Sequence, residues 1–384
     1  LAAHDDVMWV DRWTEPGADM DLVRQDAGVD YVHDTYGYCG TGVVGEVMDV
    51  GCQVDHHDFD GLIQHGPHTV GSHGTSTYGI VFGNGDLDGD GDGKALGQMP
   101  CGQGIYANHD GYADRFLHTQ ELTQAPYHAS FQTNSWGGGL TQNYTSVSQE
   151  MDDIIWRLDF AILNSQSNNG NQSSRPEAWA KNVISVGGVR HGNDTISGND
   201  YWGGAASTGL AADGRQKPDV VHWNDHVLTT RSGGYRPDFN GTSAATPLSA
   251  GTLGIILQLW SENAWGTNPE GADAFERRPH AATAKALLID AAESYAFSGV
   301  DDDLARAKQG WGRPSVARAR ERAERSLVVD VSTPLGAGES ALYDVEVAQG
   351  ESELALTLTS TKPLASGRLR FIGSEGGLDL AVSK

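Results

Sequence analysis

Between about residues 42 and 299 the sequence alternates short, apolar, β-prone runs with stretches of helical pattern. The β-prone runs are residues 42–50, 105–107, 128–135, 160–163 and 182–189. A helical pattern is clear at 145–158, and two later helices are predicted at 243–260 and 281–295. Such alternation is typical of folds in which helices connect the strands of one sheet. We therefore predict an α/β domain with a largely parallel sheet.

After about residue 326 the pattern changes to short strand-like runs that are separated by turns. These runs are residues 327–331, 341–347, 353–359, 369–372 and 378–382. We predict a small all-β module over residues 326–384. This length is short for a complete β-sandwich, and we expect a truncated one.

The chain has 384 residues and a formal net charge of −25. Binding to nucleic acid or to an anionic membrane requires a basic surface, so we expect no partner of either kind. No apolar run reaches the roughly 18 residues that a membrane helix needs. The three cysteines (Cys39, Cys52 and Cys101) are too few for a disulfide framework, and their odd number leaves at least one thiol or an intermolecular bond.

Three polar residues lie where an α/β fold can build an active site. Asp49 ends the first strand, His73 begins a helical run, and Ser243 begins the long helical run at 243–260. A carboxylate can orient a histidine, and the histidine can take the proton of a serine near a helix N-terminus. Taken singly, the three have simpler interpretations: a turn aspartate, a structural histidine and a helix cap.

Together, their order and surroundings resemble the subtilisin-like serine proteases, the subtilases. Asp-Val-Gly at 49–51 is similar to the Asp-Ser/Thr-Gly segment of that family, and His-Gly-Thr at 73–75 matches its histidine segment. Gly-Thr-Ser-Ala-Ala-Thr-Pro at 241–247 matches its serine segment. The resemblance covers about residues 20–325. It implies a subtilisin-like three-layer domain with Asp49, His73 and Ser243 as the catalytic triad.

The resemblance also implies an asparagine that stabilises the oxyanion formed during attack on the substrate carbonyl. The Asn-x-Gly spacing of the family selects Asn168, and Asn169 is the alternative. Another segment resembles the family strand that pairs with an extended polypeptide substrate. It consists of Ser135, Trp136, Gly137 and Gly138. The alternative for Trp136 is a core or rim aromatic.

The same resemblance divides the chain into three parts. Residues 21–325 correspond to the catalytic domain, and residues 326–384 to the β-sandwich module that follows it in some subtilases. Residues 1–20 are similar to the end of an inhibitory pro-peptide, so a pro-peptide is an expected partner alongside the polypeptide substrate.

Three positions depart from the family pattern. Val50 replaces a small hydroxyl residue after the acid, which predicts a missing hydrogen bond near Asp49. Ser167 replaces the glycine before the oxyanion asparagine, which predicts an altered wall of the primary substrate pocket. Glu46 lies in mid-strand where an apolar residue is expected, and a buried glutamate needs a partner or an upward pKa shift.

An acidic loop follows the histidine helix and contains four aspartates, Asp86, Asp88, Asp90 and Asp92. Carboxylates this close repel one another unless a hard cation binds them, and the intervening glycines allow sharp turns. The loop lacks the glutamate that completes an EF-hand. We predict a structural Ca²⁺ site; the alternative is a loop that stays extended in water.

These features predict a secreted serine endopeptidase that hydrolyses the peptide bonds of proteins through an acyl-enzyme. A peptide ligase or cyclase with the same triad is one alternative. An inactive, calcium-binding scaffold protein is another.

Overall fold

The computed structural model describes residues 19–85, 95–331, 340–344, 355–361, 368–374 and 377–383. Its centre is a seven-stranded sheet in which every neighbouring pair is parallel, in the order β2-β3-β1-β4-β5-β6-β7. The strands are β1 (Val44–Asp49), β2 (Ile63–Gln64), β3 (Gln103–Asn108), β4 (Phe131–Asn134), β5 (Ala161–Ser165), β6 (Ile184–Val189) and β7 (Val220–Trp223). The predicted α/β fold with a largely parallel sheet is confirmed.

Helices cover both faces of this sheet and make three layers. They are α1 (Asp19–Asp26), α2 (Val29–Tyr36), α3 (Ser72–Phe82), α4 (Arg115–Leu122), α5 (Ser146–Leu158), α6 (Thr242–Ser261), α7 (Ala281–Asp290), α8 (Arg306–Gln309) and α9 (Val316–Ala323). On β5, Leu163 belongs to the same buried cluster as residues of α6, and Ile162 to the cluster of α4 and α5. Successive strand residues point to opposite faces, so α6 and the α4–α5 pair lie on opposite sides of the sheet.

Helix α6 is the longest helix of the described chain and is buried along nearly all of its length. It packs across β4, β5, β6 and β7. Its small residues permit this contact: a Cβ at Gly251 would lie 2.2 Å from the side chain of Gln98. A helix that is apolar all round belongs in a core, and none of the described helices is long and apolar enough to cross a membrane.

Smaller elements complete the structure. An antiparallel hairpin, β8 (Val227–Arg231) and β9 (Gly234–Phe239), leads into α6. A short antiparallel pair, β10 (Ala292–Glu293) and β11 (Arg313–Pro314), follows α7. The helix predicted at 281–295 therefore ends at Asp290, and the chain turns into a strand instead.

The C-terminal part contains a three-stranded antiparallel sheet in the order β12-β14-β13. Its strands are β12 (Ser340–Asp344), β13 (Arg368–Ser374) and β14 (Gly377–Ser383). Residues 327–331 and 355–359 form no strand, so the predictions for those stretches were wrong. The rest of the module and most of the predicted N-terminal segment lie outside the described residues. The predicted domain boundaries stay predictions.

One disulfide joins Cys39 to Cys101 across 62 residues, and Cys52 is a free, buried thiol. The bond links the loop before β1 to the loop before β3. Cross-linking a loop of this length removes conformational freedom from the unfolded chain, an effect worth about 4 kcal/mol in the loop-entropy description.

We expect the double variant Cys39→Ala/Cys101→Ala to lose up to about 4 kcal/mol of unfolding free energy. Urea unfolding followed by tryptophan fluorescence measures this. Cys52→Ala is the matched control, because it removes a thiol without removing a cross-link. Equal losses in the two variants would contradict the assignment.

Candidate active site

The three residues selected from the sequence lie at the ends of elements in the middle of the fold. Asp49 is the last residue of β1 and is wholly buried. His73 is the second residue of α3, and Ser243 is the second residue of α6. Both of these are partly exposed. The carboxyl ends of parallel strands are where open α/β sheets place their sites.

A short hydrogen bond joins the first two residues. His73 Nδ1 lies 2.6 Å from Asp49 Oδ1. A carboxylate only accepts, so Nδ1 carries the hydrogen and Nε2 of a neutral ring is left as an acceptor. Gly74 allows the start of α3 to lie close to the chain after β1, because a Cβ at Gly74 would lie 2.2 Å from the carbonyl oxygen of Gly51.

Pro247 determines how the carbonyl group of Ser243 is bonded. In a regular α-helix this carbonyl would accept from the N–H of residue 247, but proline has none. The hydroxyl of Ser135, the residue after β4, donates to it at 3.1 Å instead. The Ser243 hydroxyl donates to the Ser135 carbonyl at 3.5 Å. The first turn of α6 is thereby tied to the end of β4.

Within the described chain the Ser243 hydroxyl has no hydrogen bond to His73. The structure thus pairs Asp49 with His73 and Ser243 with Ser135. A proton transfer between His73 and Ser243 stays a prediction.

The side chain of Asn168 lies against the first residues of α6. Its Oδ1 accepts from the N–H of Thr242 at 2.8 Å and from the Thr242 hydroxyl at 3.1 Å. This leaves Nδ2 as the end that can donate to a ligand. Gly241 has a φ of 79° and a Cβ there would lie 2.9 Å from Nδ2, so glycine is required. The side chain of Asn169 bonds Asn171 instead, which favours Asn168 over the alternative.

The predicted substrate segment begins after β4 ends at Asn134. The carbonyls of Gly137 and Gly138 accept from Arg175, and the N–H of Gly138 donates to Glu177. These backbone groups are therefore already bonded within the chain. Trp136 is half-buried, and its ring contacts the ring of His109 and the guanidinium of Arg115. Substrate pairing by this segment stays a prediction.

Comparison with known proteins connects this geometry to one family. The sequence profile of the Subtilase family matches residues 40–312, which is more than half of the chain. The chain belongs to the subtilase family. Asp49, His73, Asn168 and Ser243 all lie inside the matched region.

Two curated relatives are similar to this subtilase. Subtilisin-like protease 1 from Arthroderma otae is 25% identical over 256 residues, which cover 60% of this chain and 46% of the relative. Subtilisin-like serine protease AsES from Sarocladium strictum is 24% identical over 255 residues, 62% of this chain and 58% of the relative. The chain therefore spans about half the length of the curated relatives it matches.

Solved structures share the fold at lower identity. The prenylagaramide maturation protease PagA superposes with a TM-score of 0.59 at 17% identity, over 77% of this chain and 98% of that one. The patellamide maturation protease PatA gives 0.54 at 16% identity, over 75% and 98%. At this identity the likeness extends to the fold alone.

The hydrogen bond predicted to be missing near Asp49 has a replacement. The Thr77 hydroxyl donates to Asp49 Oδ2 at 2.9 Å, and the backbone N–H of Val50 donates to Oδ1 at 2.7 Å. Thr77 lies one helical turn after His73 on α3, so both side chains reach the same carboxylate. Thr77 is not among the residues predicted from the sequence, although its i+4 spacing from His73 places both side chains on one face of a helix.

At Ser167 the backbone has a φ of 95°, a conformation that glycine adopts without strain. Ser167 therefore adopts a backbone conformation that favours glycine, and the residue is buried. The four aspartates of the predicted calcium site, Asp86, Asp88, Asp90 and Asp92, lie outside the described residues. The Ca²⁺ site stays a prediction.

Two opposing effects set the pKa of His73. Burial lowers the pKa and is the largest single influence, but the hydrogen bond and the charge of Asp49 together outweigh it. The pKa of His73 is therefore raised above its ordinary value of 6.5. A raised pKa in the folded state stabilises the fold below about pH 6.5, and this contribution is lost as the pH rises through the folded value.

We expect Asp49→Asn to bring the pKa of His73 below 6.5, because burial then acts without a neighbouring charge. NMR titration of the histidine ring protons measures the shift. Asp225→Asn is the matched control: its partner is His191, so the titration of His73 should not move. An unchanged pKa in Asp49→Asn would contradict the pairing.

Replacing Thr77 by valine should cost roughly 1–3 kcal/mol of unfolding free energy, since a buried acceptor loses its donor while the side-chain shape is kept. Urea unfolding is the measurement. Thr77→Ser retains the hydroxyl and should recover most of the loss. A Thr77→Val variant that is no less stable than Thr77→Ser would contradict the stabilising role of the hydrogen bond.

Proposed function

We propose that this subtilase is a secreted serine endopeptidase that hydrolyses the peptide bonds of proteins. The observation that carries the proposal is the 2.6 Å hydrogen bond between His73 and the buried Asp49. His73 lies at the start of α3, which packs against α6, the helix that begins with Thr242 and Ser243. An aspartate–histidine pair with a serine at a helix N-terminus is the arrangement that nucleophilic acyl transfer requires.

The reaction begins with a proton transfer. Nε2 of His73 takes the hydroxyl proton of Ser243 as Oγ bonds to the substrate carbonyl carbon, and the carbonyl π electrons move to the oxygen. The carbon–nitrogen bond then breaks, and His73 gives its proton to the leaving amine. Water attacks the acyl-enzyme in the same way and releases Ser243. Asp49 stays ionised and stabilises the imidazolium in both halves.

Two donors are available for the negative oxygen formed in each attack. Asn168 presents Nδ2, because its Oδ1 is held by Thr242. The backbone N–H of Ser243 lies in the first turn of α6, where helix N–H groups have no intrahelical acceptor. Fixed donors of this kind stabilise the developing charge without reorganisation.

Secretion and substrate class belong to the same proposal. The Cys39–Cys101 disulfide fits an oxidising compartment, and the charge of −25 keeps such a protein soluble. A polypeptide is the substrate class on which proteases act. We also propose a pro-peptide as an inhibitory partner and Ca²⁺ as a structural ion.

We expect Ser243→Ala to lower the turnover of a fluorogenic peptide by a factor on the order of 10⁴ or more, because the nucleophile is removed. A sulfonyl fluoride should label Ser243 in the unaltered protein and not in the variant. Ser249→Ala is the matched control, since Ser249 is a buried serine of the same helix whose hydroxyl bonds only its own helix backbone.

Three outcomes would replace the proposal. Peptide cleavage at full rate in Ser243→Ala would exclude this mechanism. Absence of labelling in folded protein would favour the inactive scaffold. If mass analysis with an added amine shows amide products in place of hydrolysis, the ligase alternative is favoured.

A further inference from the structure

Glu46 is the buried glutamate that stands out in the sequence, and the structure gives it partners. It lies three residues before Asp49 on β1, so the two side chains point to opposite faces of the sheet. Its side chain is wholly buried on the α4 side. His65, His118 and Gln132 surround its carboxylate.

Both histidines bond this carboxylate. His65 Nδ1 lies 2.8 Å from Glu46 Oε1, and His118 Nε2 lies 3.1 Å from each of its two oxygens. The other nitrogen of His65, Nε2, lies 3.1 Å from Glu121 Oε2. Carboxylates only accept, so a His65 ring that bonds both must carry two N–H groups and a positive charge.

Glu46, His65 and His118 are residue types that ligate metal ions, and their ligand atoms lie within 4.8 Å of one another. The rings of His65 and His118, however, are stacked, with centroids 3.9 Å apart and planes 20° apart. A metal must lie close to the plane of each ring that ligates it, and nearly parallel planes do not meet at one ion. The geometry is that of a hydrogen-bonded ion cluster.

From Glu46 a chain of hydrogen bonds leads toward the active site. The Gln132 amide donates to Glu46 Oε2 at 2.7 Å, and the Asn134 amide donates to Gln132 Oε1 at 2.9 Å. All three side chains are fully buried. Asn134 is the last residue of β4, and the next residue is Ser135, which exchanges hydrogen bonds with Ser243.

We propose that Glu46, Gln132 and Asn134 form a positioning network, anchored by His65 and His118, that fixes the end of β4 and through Ser135 the nucleophile Ser243. The inference rests on the proposed function, because it assigns Ser243 as the nucleophile. The network acts from the sheet face opposite to Asp49. None of its members is a catalytic residue, since none touches the reacting groups.

The ionisation of the cluster gives the network a pH range. Burial raises the pKa of Glu46, but the charges and hydrogen bonds of His118 and His65 outweigh it and hold the pKa at about 2. Burial lowers the pKa of His65, but its bonds to Glu46 and Glu121 outweigh it and raise the pKa above 6.5. The other titratable or charged groups around the cluster are Arg115, Tyr112, Tyr127, Glu150 and Glu177.

The signs are opposite for the two partners. Glu46 stabilises the fold above its ordinary pKa of 4.5 and ceases to do so as the pH falls toward about 2. His65 stabilises it below 6.5, and this contribution is lost as the pH rises through its raised pKa. In the folded protein the charges of Glu46 and His65 are both present from above about pH 2 up to the raised pKa of His65. At higher pH, a neutral His65 keeps only one of its two bonds.

Gln132→Leu interrupts the chain while keeping a side chain of similar size. We expect kcat, calculated from the concentration of sites that can be labelled at Ser243, to fall about tenfold, with a smaller change in KM. A small displacement of a reacting group can lower the rate by up to about 10²-fold. The rate of Ser243 labelling by a sulfonyl fluoride should fall in parallel.

The matched control is Gln309→Leu. Gln309 is also a fully buried glutamine, and its hydrogen bonds go to Tyr295 and Leu304, outside the network. It should lose stability and keep kcat. Both variants are compared at a temperature at which urea unfolding shows them folded.

A second variant, His65→Gln, tests the network if Gln132→Leu does not fold. The unaltered protein should lose kcat at alkaline pH as His65 deprotonates, and His65→Gln should start from a lower kcat without that decline. A role in stability alone would leave the pH profile unchanged.

Three results would overturn the inference. The first is a folded Gln132→Leu variant with kcat and labelling rate within twofold of the unaltered protein. The second is an alkaline profile that His65→Gln does not alter. The third is a stoichiometric transition metal in the purified protein, lost on Glu46→Gln. Failure of the proposed function is distinguishable from these results, because the sulfonyl fluoride would then not label Ser243 of the unaltered protein.

Discussion

The buried carboxylate of Asp49 is the group around which the site is organised. A charge taken out of water must be compensated by hydrogen bonds, and Asp49 receives them from His73, Thr77 and the N–H of Val50. Two of these donors belong to α3, so the same bonds that compensate the charge fix the position of that helix. The location of His73 follows from the electrostatic requirement of Asp49.

A second buried carboxylate, that of Glu46, lies on the other side of the same strand. β1 thus carries one acid toward α3 and one toward α4, each bonded to histidine. The strand is central in the sheet, so its position is coupled to both outer layers. A chain with a net charge of −25 satisfies these two interior charges with histidine and neutral donors. Among the residues that the structure describes, most acidic side chains are not buried.

The parts of the structure that were predictable are those encoded by local pattern. Alternating apolar runs predict the parallel sheet, and the residues around Asp49, His73 and Ser243 carry the family resemblance. The partners of Glu46 were not predictable, because His65 follows β2 and His118 lies on α4, and no periodicity links these positions to β1. Likewise, the pairing of Ser135 with the carbonyl that Pro247 leaves free depends on the tertiary approach of β4 to α6. The helix predicted to extend to 295 failed for the same kind of reason, since pairing between β10 and β11 competes with helix continuation.

Pro247 has a consequence for the order in which the site can form. By withholding a hydrogen bond from the carbonyl of Ser243, it leaves the first turn of α6 incomplete as an isolated helix. Completion comes from Ser135, a partner 108 residues earlier in the chain. A contact so distant in sequence forms only once the sheet has assembled. A partly folded chain therefore lacks the fixed turn that holds Ser243, and this part of the candidate site forms only with the finished fold.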